Sequence, residues 1–248
     1  PVLRDGVWGV SDEDMFNRAE VELDRLSVDG NFLVYLQTLS NHIPYNIPLH
    51  ESFEPITNEG DLSDRLTAMK YSDWALGQFF RNIRNKPYYK DTIFVVLGDH
   101  GFGTDNQLTE INLLRFHVPI LIIAPGLHPG TSSIITSQLD VIPTILGLMQ
   151  SPVPHQCWGR DVLVLPDDDH GFAVIKPSGS EPTMAILKQD RILTFDHDLG
   201  SHLYELQMYP EPKAKLIDEP FVSQTMRQQL EAFVQTALQS LEDNTAGS

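Results

Sequence analysis

The chain has 248 residues, 41% apolar and 21% charged, which is enough to bury a full core and too apolar for disorder to dominate. Its formal net charge of −17 and pI near 4.7 give a surface that repels phosphate backbones and argues against a nucleic-acid partner. A surface so acidic holds an anionic ligand only through a bound cation or a focused cluster of His, Lys and Arg. The single cysteine, Cys157, excludes an internal disulfide framework and a thiolate zinc cluster. The longest purely apolar stretch, residues 118–125, is too short to span a bilayer, and no basic-then-apolar leader opens the chain. The chain is therefore expected to be soluble, and its start at Pro1 reads as that of a truncated or processed protein.

Residues 11–27 predict an amphipathic helix, with Ser11 as N-cap and Asp12, Glu13 and Asp14 in a first turn that favours negative charge. Residues 31–38 (NFLVYLQT) form a compact apolar run, bounded by Asp29-Gly30 and Ser40-Asn41-His42, and read as a buried strand whose end delivers a histidine. From residue 61 to 83, Leu62, Leu66, Met69, Leu76, Phe80 and Ile83 recur at helical spacing, with Asp61 as the cap. Residues 92–97 (TIFVVL) are β-branched and continuous, as in a parallel strand buried on both faces, and end in Gly98-Asp99-His100-Gly101. A second such strand covers residues 118–124. A helix then opens at Asp140, the expected cap, and runs to Met149, with Pro143 in its first turn.

After about residue 166 the pattern changes. Short β-like runs at 172–175, 183–187, 192–195 and 202–206 predict a small antiparallel sheet. Residues 223–241 predict a closing amphipathic helix capped by Ser223, and residues 242–248 a frayed tail. The sum is an α/β fold: a mostly parallel sheet with helices on both faces, followed by a small C-terminal antiparallel sheet plus helix. The expected domains are residues 1–165 and 166–248.

Ligands in such sheets gather beyond the carboxyl ends of the strands. Asp99 and His100 there supply adjacent oxygen and nitrogen donors suited to Mn²⁺ or Zn²⁺, and Gly98 and Gly101 permit a tight turn around a cation. On spacing alone, an Asp-His pair is more often a surface turn than a metal site. His117 precedes a strand, where it either bonds backbone or serves a ligand. His50, His128, His155, His170, His197 and His202 read as solvated, Asp167-Asp168-Asp169 as a solvated loop rather than a calcium site, Arg115 as a surface ion-pair partner, and Trp8, Trp74 and Trp158 as core residues.

The string Asp91-Thr92-Ile93-Phe94-Val95-Val96-Leu97-Gly98-Asp99-His100-Gly101 resembles the late metal-ligand motif of the alkaline phosphatase and sulfatase superfamily. Residues 117–126, then Ser137-Gln138-Leu139-Asp140-Val141-Ile142-Pro143-Thr144, then Gly159-Arg160-Asp161 resemble the segments that trail that motif, in order. Trp8-Gly9-Val10-Ser11-Asp12 and Ser40-Asn41-His42-Ile43-Pro44-Tyr45 look closest to the lipoteichoic acid synthase and phosphoglycerol transferase branch. The resemblance implies that Asp99 and His100 are metal ligands and that His42, and by position His117, contact substrate. It implies a divalent metal, Mn²⁺ first and Zn²⁺, Mg²⁺ or Ca²⁺ as alternatives, and an anionic ester substrate carried on a lipid headgroup or glycan. It also implies a threonine nucleophile, an upstream acidic ligand and membrane helices. None of these is found in this chain, so the nucleophile is expected before Pro1, in a missing N-terminal part of the same protein. The fragment alone is expected to be inactive, and the complete protein to be anchored in the inner membrane with this domain outside the cytoplasm. The implied activity is phosphoglycerol-like headgroup transfer. The alternatives are a sulfatase or phosphodiesterase, or a non-catalytic docking or glycan-binding module.

Overall fold

The computed structural model describes residues 9–48, 53–103, 105–150, 153–177, 179 and 181–243, which fall into two compact units divided between Thr92 and Ile93. Trp8, His50 and the tail beyond Asp243 lie outside the described residues, as does the side chain of Asp61.

The first unit is a helix pair. Helix α1 (Asp12–Asp29) begins where expected, with the Ser11 hydroxyl accepting from the Asp14 amide at 3.2 Å. Helix α2 (Ser63–Ile83) follows a 3₁₀ turn at Gly60–Leu62. Phe16 stacks on Phe79 at 5.0 Å between ring centres, and Ala19, Leu23, Ala75 and Ile83 are buried with them. Full burial of each large side chain contributes about 2 kcal/mol. Polar contacts line the edge of the pair, Asn82 to Glu20 at 2.6 Å and Lys86 to Asp24 at 2.6 Å. At the middle of α2, Tyr71 and Trp74 form an aromatic cluster with Phe53, and burial pushes the fully enclosed Tyr71 phenol up to about 12.

The strand expected at residues 31–38 is not formed. The segment keeps the alternating exposure of an extended chain, with Leu33 and Tyr35 pointing outward, but it carries no ladder. The physical reason is the want of a neighbour: no strand is described within the first unit itself, and a lone extended backbone cannot satisfy its amides by pairing.

In the second unit, β1 (Phe94–Leu97) pairs antiparallel with β2 (Ile120–Ile123), Phe94 opposite Ile123 and Leu97 opposite Ile120. Continuous apolar runs had indicated parallel strands buried on both faces. Instead this pair is antiparallel, and Leu97, Ile120 and Leu121 are exposed. Helix α3 (Val141–Leu148) follows a 3₁₀ turn at Gln138–Asp140.

The C-terminal sheet is a five-stranded antiparallel meander of β3 (Ala173–Ile175), β4 (Met184–Lys188), β5 (Arg191–Asp196), β6 (Gly200–Gln207) and β7 (Lys213–Ile217). Its two faces follow the twofold alternation of strands. Ala185, Ile192 and Leu206 face Ile111 and Leu113 from the preceding loop, while Ile186, Leu193 and Leu203 face Met226 and Leu230. Those last two belong to α4 (Pro220–Glu242). Pro220 opens α4 at a position where its missing amide costs nothing, so Ser223 lies one turn inside the helix and is not its cap.

Candidate functional site

Beyond β1 the chain turns sharply through Gly98, Asp99, His100 and Gly101. The turn needs small residues: a Cβ on Gly98 would lie 2.9 Å from Val118 Cβ, and one on Gly101 2.8 Å from the Leu114 carbonyl oxygen. The Gly98 amide donates to the Pro119 carbonyl at 3.3 Å and the Gly101 amide to the Arg115 carbonyl at 2.6 Å, so the segment leading into β2 braces the turn.

Within the turn, the His100 amide donates to Asp99 Oδ1 at 2.8 Å, and His100 Nδ1 lies 3.0 Å from the Gly101 carbonyl. A carbonyl only accepts, so Nδ1 carries the proton and the neutral ring presents Nε2 as a lone-pair donor, the tautomer a metal-ligating histidine adopts. His100 Nε2 and Asp99 Oδ2 stand 3.8 Å apart, with side chains 58% and 66% exposed. One cation can touch both, because 3.8 Å is below twice a bond of about 2.1 Å. The two residues thus fit a cation as part of its shell. Among the described residues no group of three or more His, Cys, Asp and Glu gathers in a way that could complete it.

A residue that sequence reasoning assigned no role meets the turn from behind. Gln138 donates its side-chain amide to two backbone carbonyls, Gly98 at 2.9 Å and Asp99 at 2.8 Å. Asp140, expected as a plain helix cap, is instead the buried centre of a capping box. Its Oδ2 accepts from the Ser137 amide at 2.8 Å and its Oδ1 from the Arg160 amide at 2.8 Å. The Arg160 guanidinium lies over the Phe172 ring, 4.1 Å from its centre, and reaches Asp169 at 3.5 Å, so Asp169 is partly engaged rather than simply solvated. His117 is exposed at the entry to β2, next to Val118, the residue that packs on Gly98.

His42 belongs to the first unit. It sits in a turn where Tyr45 donates to the His42 carbonyl at 2.8 Å, and its Nδ1 lies 2.8 Å from the Ile43 carbonyl. The anchor of this turn is Asp12, read from sequence only as a first-turn charge. It is buried, and it accepts from the amides of Leu39 at 2.8 Å and Ser40 at 2.9 Å and from the Ser72 hydroxyl at 2.7 Å. A buried carboxylate so saturated with donors fixes the residues that lead into His42.

A second charged cluster lies where the C-terminal sheet meets the loop after the turn. Glu110 Oε1 accepts from Tyr204 at 2.6 Å and pairs with His202 Nδ1 at 2.7 Å, while Oε2 accepts from the buried Thr194 hydroxyl at 2.8 Å. Burial raises the Glu110 carboxyl, but the Tyr204 and Thr194 hydrogen bonds and the His202 charge outweigh it and hold it below the usual range. His202, expected to be solvated, is therefore tied down. Trp74 and Trp158, expected in cores, are half-buried: Trp74 stacks on Tyr71 at 5.6 Å between ring centres and Trp158 donates to Ser240 at 3.0 Å.

Residues 2–151 match the sulfatase family model. Lipoteichoic acid synthase 1 of Bacillus subtilis is 26% identical over 154 residues, covering 56% of this chain and 24% of that protein. The lipoteichoic acid synthase-like protein YvgJ of the same organism is 24% identical over 209 residues, covering 77% of this chain and 31% of its own length. The chain thus spans a quarter to a third of these relatives. Among solved structures, a protein of the alkaline phosphatase superfamily from Vibrio parahaemolyticus superimposes with a TM-score of 0.82 at 28% identity, covering 98% of this chain and 57% of that one. The lipoteichoic acid synthase LtaP from Listeria monocytogenes gives a TM-score of 0.70 at 19% identity, covering 93% and 60%, which speaks to the fold. The architecture is accordingly alkaline phosphatase-like, and the sequence relatives lie in the lipoteichoic acid synthase branch. With more than half of its residues matched by the model of a family that acts on phosphate and sulfate esters, the chain belongs to the sulfatase family.

Proposed function

We propose that the complete protein transfers or hydrolyses a phosphate-type ester, moving a phosphoglycerol-like headgroup between lipid and glycan substrates. The observation that carries this reading is the Asp99-His100 pair, two donors 3.8 Å apart with the His100 tautomer set for ligation. Asp99 and His100 would hold a divalent cation, manganese first and zinc, magnesium or calcium as alternatives, which neutralises charge on the ester and lowers the pKa of a hydroxyl nucleophile. That nucleophile, a threonine by resemblance, is proposed to lie outside these 248 residues, which alone would give little or no turnover.

His42 and His117 are proposed substrate contacts. Because His42 Nδ1 donates to the Ile43 carbonyl, the neutral ring accepts a glycerol hydroxyl through Nε2, whereas a phosphoryl oxygen requires the protonated ring. The remainder of the protein is proposed to complete the sheet. The outward-facing Leu97, Ile120 and Leu121, the two-stranded ribbon that is marginal by itself, and the unpaired segment 31–38 support this. Residues 1–165 would be part of the catalytic domain and 166–248 a subdomain packed after it. No helix among the described residues is long and apolar enough to cross a membrane. A membrane anchor in another part of the protein, with this domain outside the cytoplasm, is proposed by resemblance to the family branch.

The test is Asp99→Ala in the complete protein, with metal content and hydrolysis of a model phosphodiester measured together. Both fall to background if the reading holds. Unchanged turnover without bound metal would make the chain a docking or glycan-binding module instead. An aryl sulfate, assayed in parallel, separates the sulfatase alternative, since the same pair of donors serves either ester.

A further inference from the structure

We infer that Gln138 is a positioning residue for the cation site, an inference that rests on the metal reading of Asp99 and His100. Its side-chain amide has two hydrogens, and both are used: one on the Gly98 carbonyl at 2.9 Å, the other on the Asp99 carbonyl at 2.8 Å. The Asp99 carbonyl and the His100 amide belong to one planar peptide unit. Holding the carbonyl therefore fixes the direction of the His100 N–H, which donates to Asp99 Oδ1 at 2.8 Å. With Oδ1 tied, the carboxylate turns Oδ2 toward His100 Nε2. Gln138 thus acts through one peptide plane on the donor atom that would meet the cation.

The glutamine is itself held. It is the first residue of the 3₁₀ turn at Gln138–Asp140, closed on one side by Ser137 and on the other by Asp140. Asp140 is 4% exposed and takes the Arg160 amide as well, so the turn cannot swing without stranding a buried carboxylate. The rigid side of the arrangement is therefore the 137–160 framework, and the compliant side is the exposed Asp99-His100 turn that Gln138 clasps.

Outer partners of metal ligands set affinity by about 10- to 100-fold when removed. The test uses the complete protein with Gln138→Met, which keeps the length of the side chain and removes both donors. Mn²⁺ titration calorimetry should show affinity at least about tenfold weaker than wild type. In the metal-free protein the melting temperature should be unchanged, since Gln138 is exposed. Amide exchange across residues 98–101 should be faster, a change that a general stability effect would spread over the whole unit. Asp99→Ala is the reference. If it loses Mn²⁺ while Gln138→Met binds like wild type, the positioning role is wrong and the metal site stands. If wild type binds Mn²⁺ no better than Asp99→Ala, the metal reading fails. Unaltered exchange at 98–101 in Gln138→Met would overturn the clasp in either case.

Discussion

Replacing Glu110 should weaken the second unit in a way that acid diminishes. Its carboxylate receives Tyr204, His202 and Thr194 at 2.6, 2.7 and 2.8 Å, and its side chain is 23% exposed. Hydrogen bonds to a charged acceptor are each worth about 1.5–3 kcal/mol. Glu110→Ala leaves the Tyr204 hydroxyl and His202 without this acceptor, while Thr194 retains a longer contact to the His202 carbonyl at 3.3 Å. Allowing for partial exposure and for coupling within one cluster, the loss should be about 2–4 kcal/mol, and about 1–2 kcal/mol for Glu110→Gln, which keeps a neutral acceptor. The pH dependence follows from the depressed carboxyl: the charge-dependent part of its stabilisation is complete above the unfolded value of about 4.3 and is lost as pH falls through the lower folded value. Urea unfolding of wild type and Glu110→Ala should therefore give a full difference near pH 6 and a shrinking one below about pH 4. A difference under about 1 kcal/mol at neutral pH, or one that does not shrink in acid, would refute the charge-assisted account.

Two further outcomes follow from the geometry. Asp12→Ala removes a buried acceptor of three hydrogen bonds and should cost about 3 kcal/mol, seen as a melting temperature lower by about 6–12 °C in thermal unfolding. Gly98→Ala pushes a Cβ to within 2.9 Å of Val118 and should weaken Mn²⁺ binding by about tenfold, whereas Gly103→Ala, which meets nothing within 4 Å, should leave calorimetric affinity unchanged.

Much of the fold could be read in the chain. The helical spacing and the Ser11 cap gave α1 nearly to the residue, and the short β-branched runs gave β3 to β6. What escaped had physical causes. Strand β7 (KAKLI) alternates lysines with apolar residues at an edge, a pattern too short to stand out from a solvated loop. An apolar run reports burial and not strand direction, so the antiparallel pairing of β1 and β2 was not legible. The run at 31–38 has strand character, yet pairing depends on a neighbour that local sequence does not encode.

The same distinction divides the site. Asp99 and His100 announce themselves because their chemistry is carried by side chains at the end of an apolar run. Gln138 does not, since an exposed amide that acts on backbone carbonyls some forty residues away leaves no spacing to detect. In sequence, Asp12 and Asp140 look like helix-end charges because that is the local reason for an acid there. Their long-range donors, Leu39 and Ser40 for one and Arg160 for the other, exist only once the chain is folded.

The two polar clusters of the second unit answer to different observables, and the reason lies in what each one binds. Gln138 holds carbonyls in an exposed turn, where water replaces a lost donor at little cost, so its removal changes the direction of Asp99 more than the stability of the unit. Glu110 holds hydroxyls and a histidine at the edge of a packed face that includes Ile111, Ile192 and Leu206, where water replaces them poorly. A variant at Glu110 should therefore move the unfolding midpoint and spare Mn²⁺ affinity, and one at Gln138 should do the reverse. Since no hydrogen bond among the described residues joins the two clusters, their effects should add in the double variant to within about 0.5 kcal/mol. A larger coupling would mean that the loop between Gly101 and His117 transmits strain from the sheet to the turn, and the clasp would then be only one of two supports for the site.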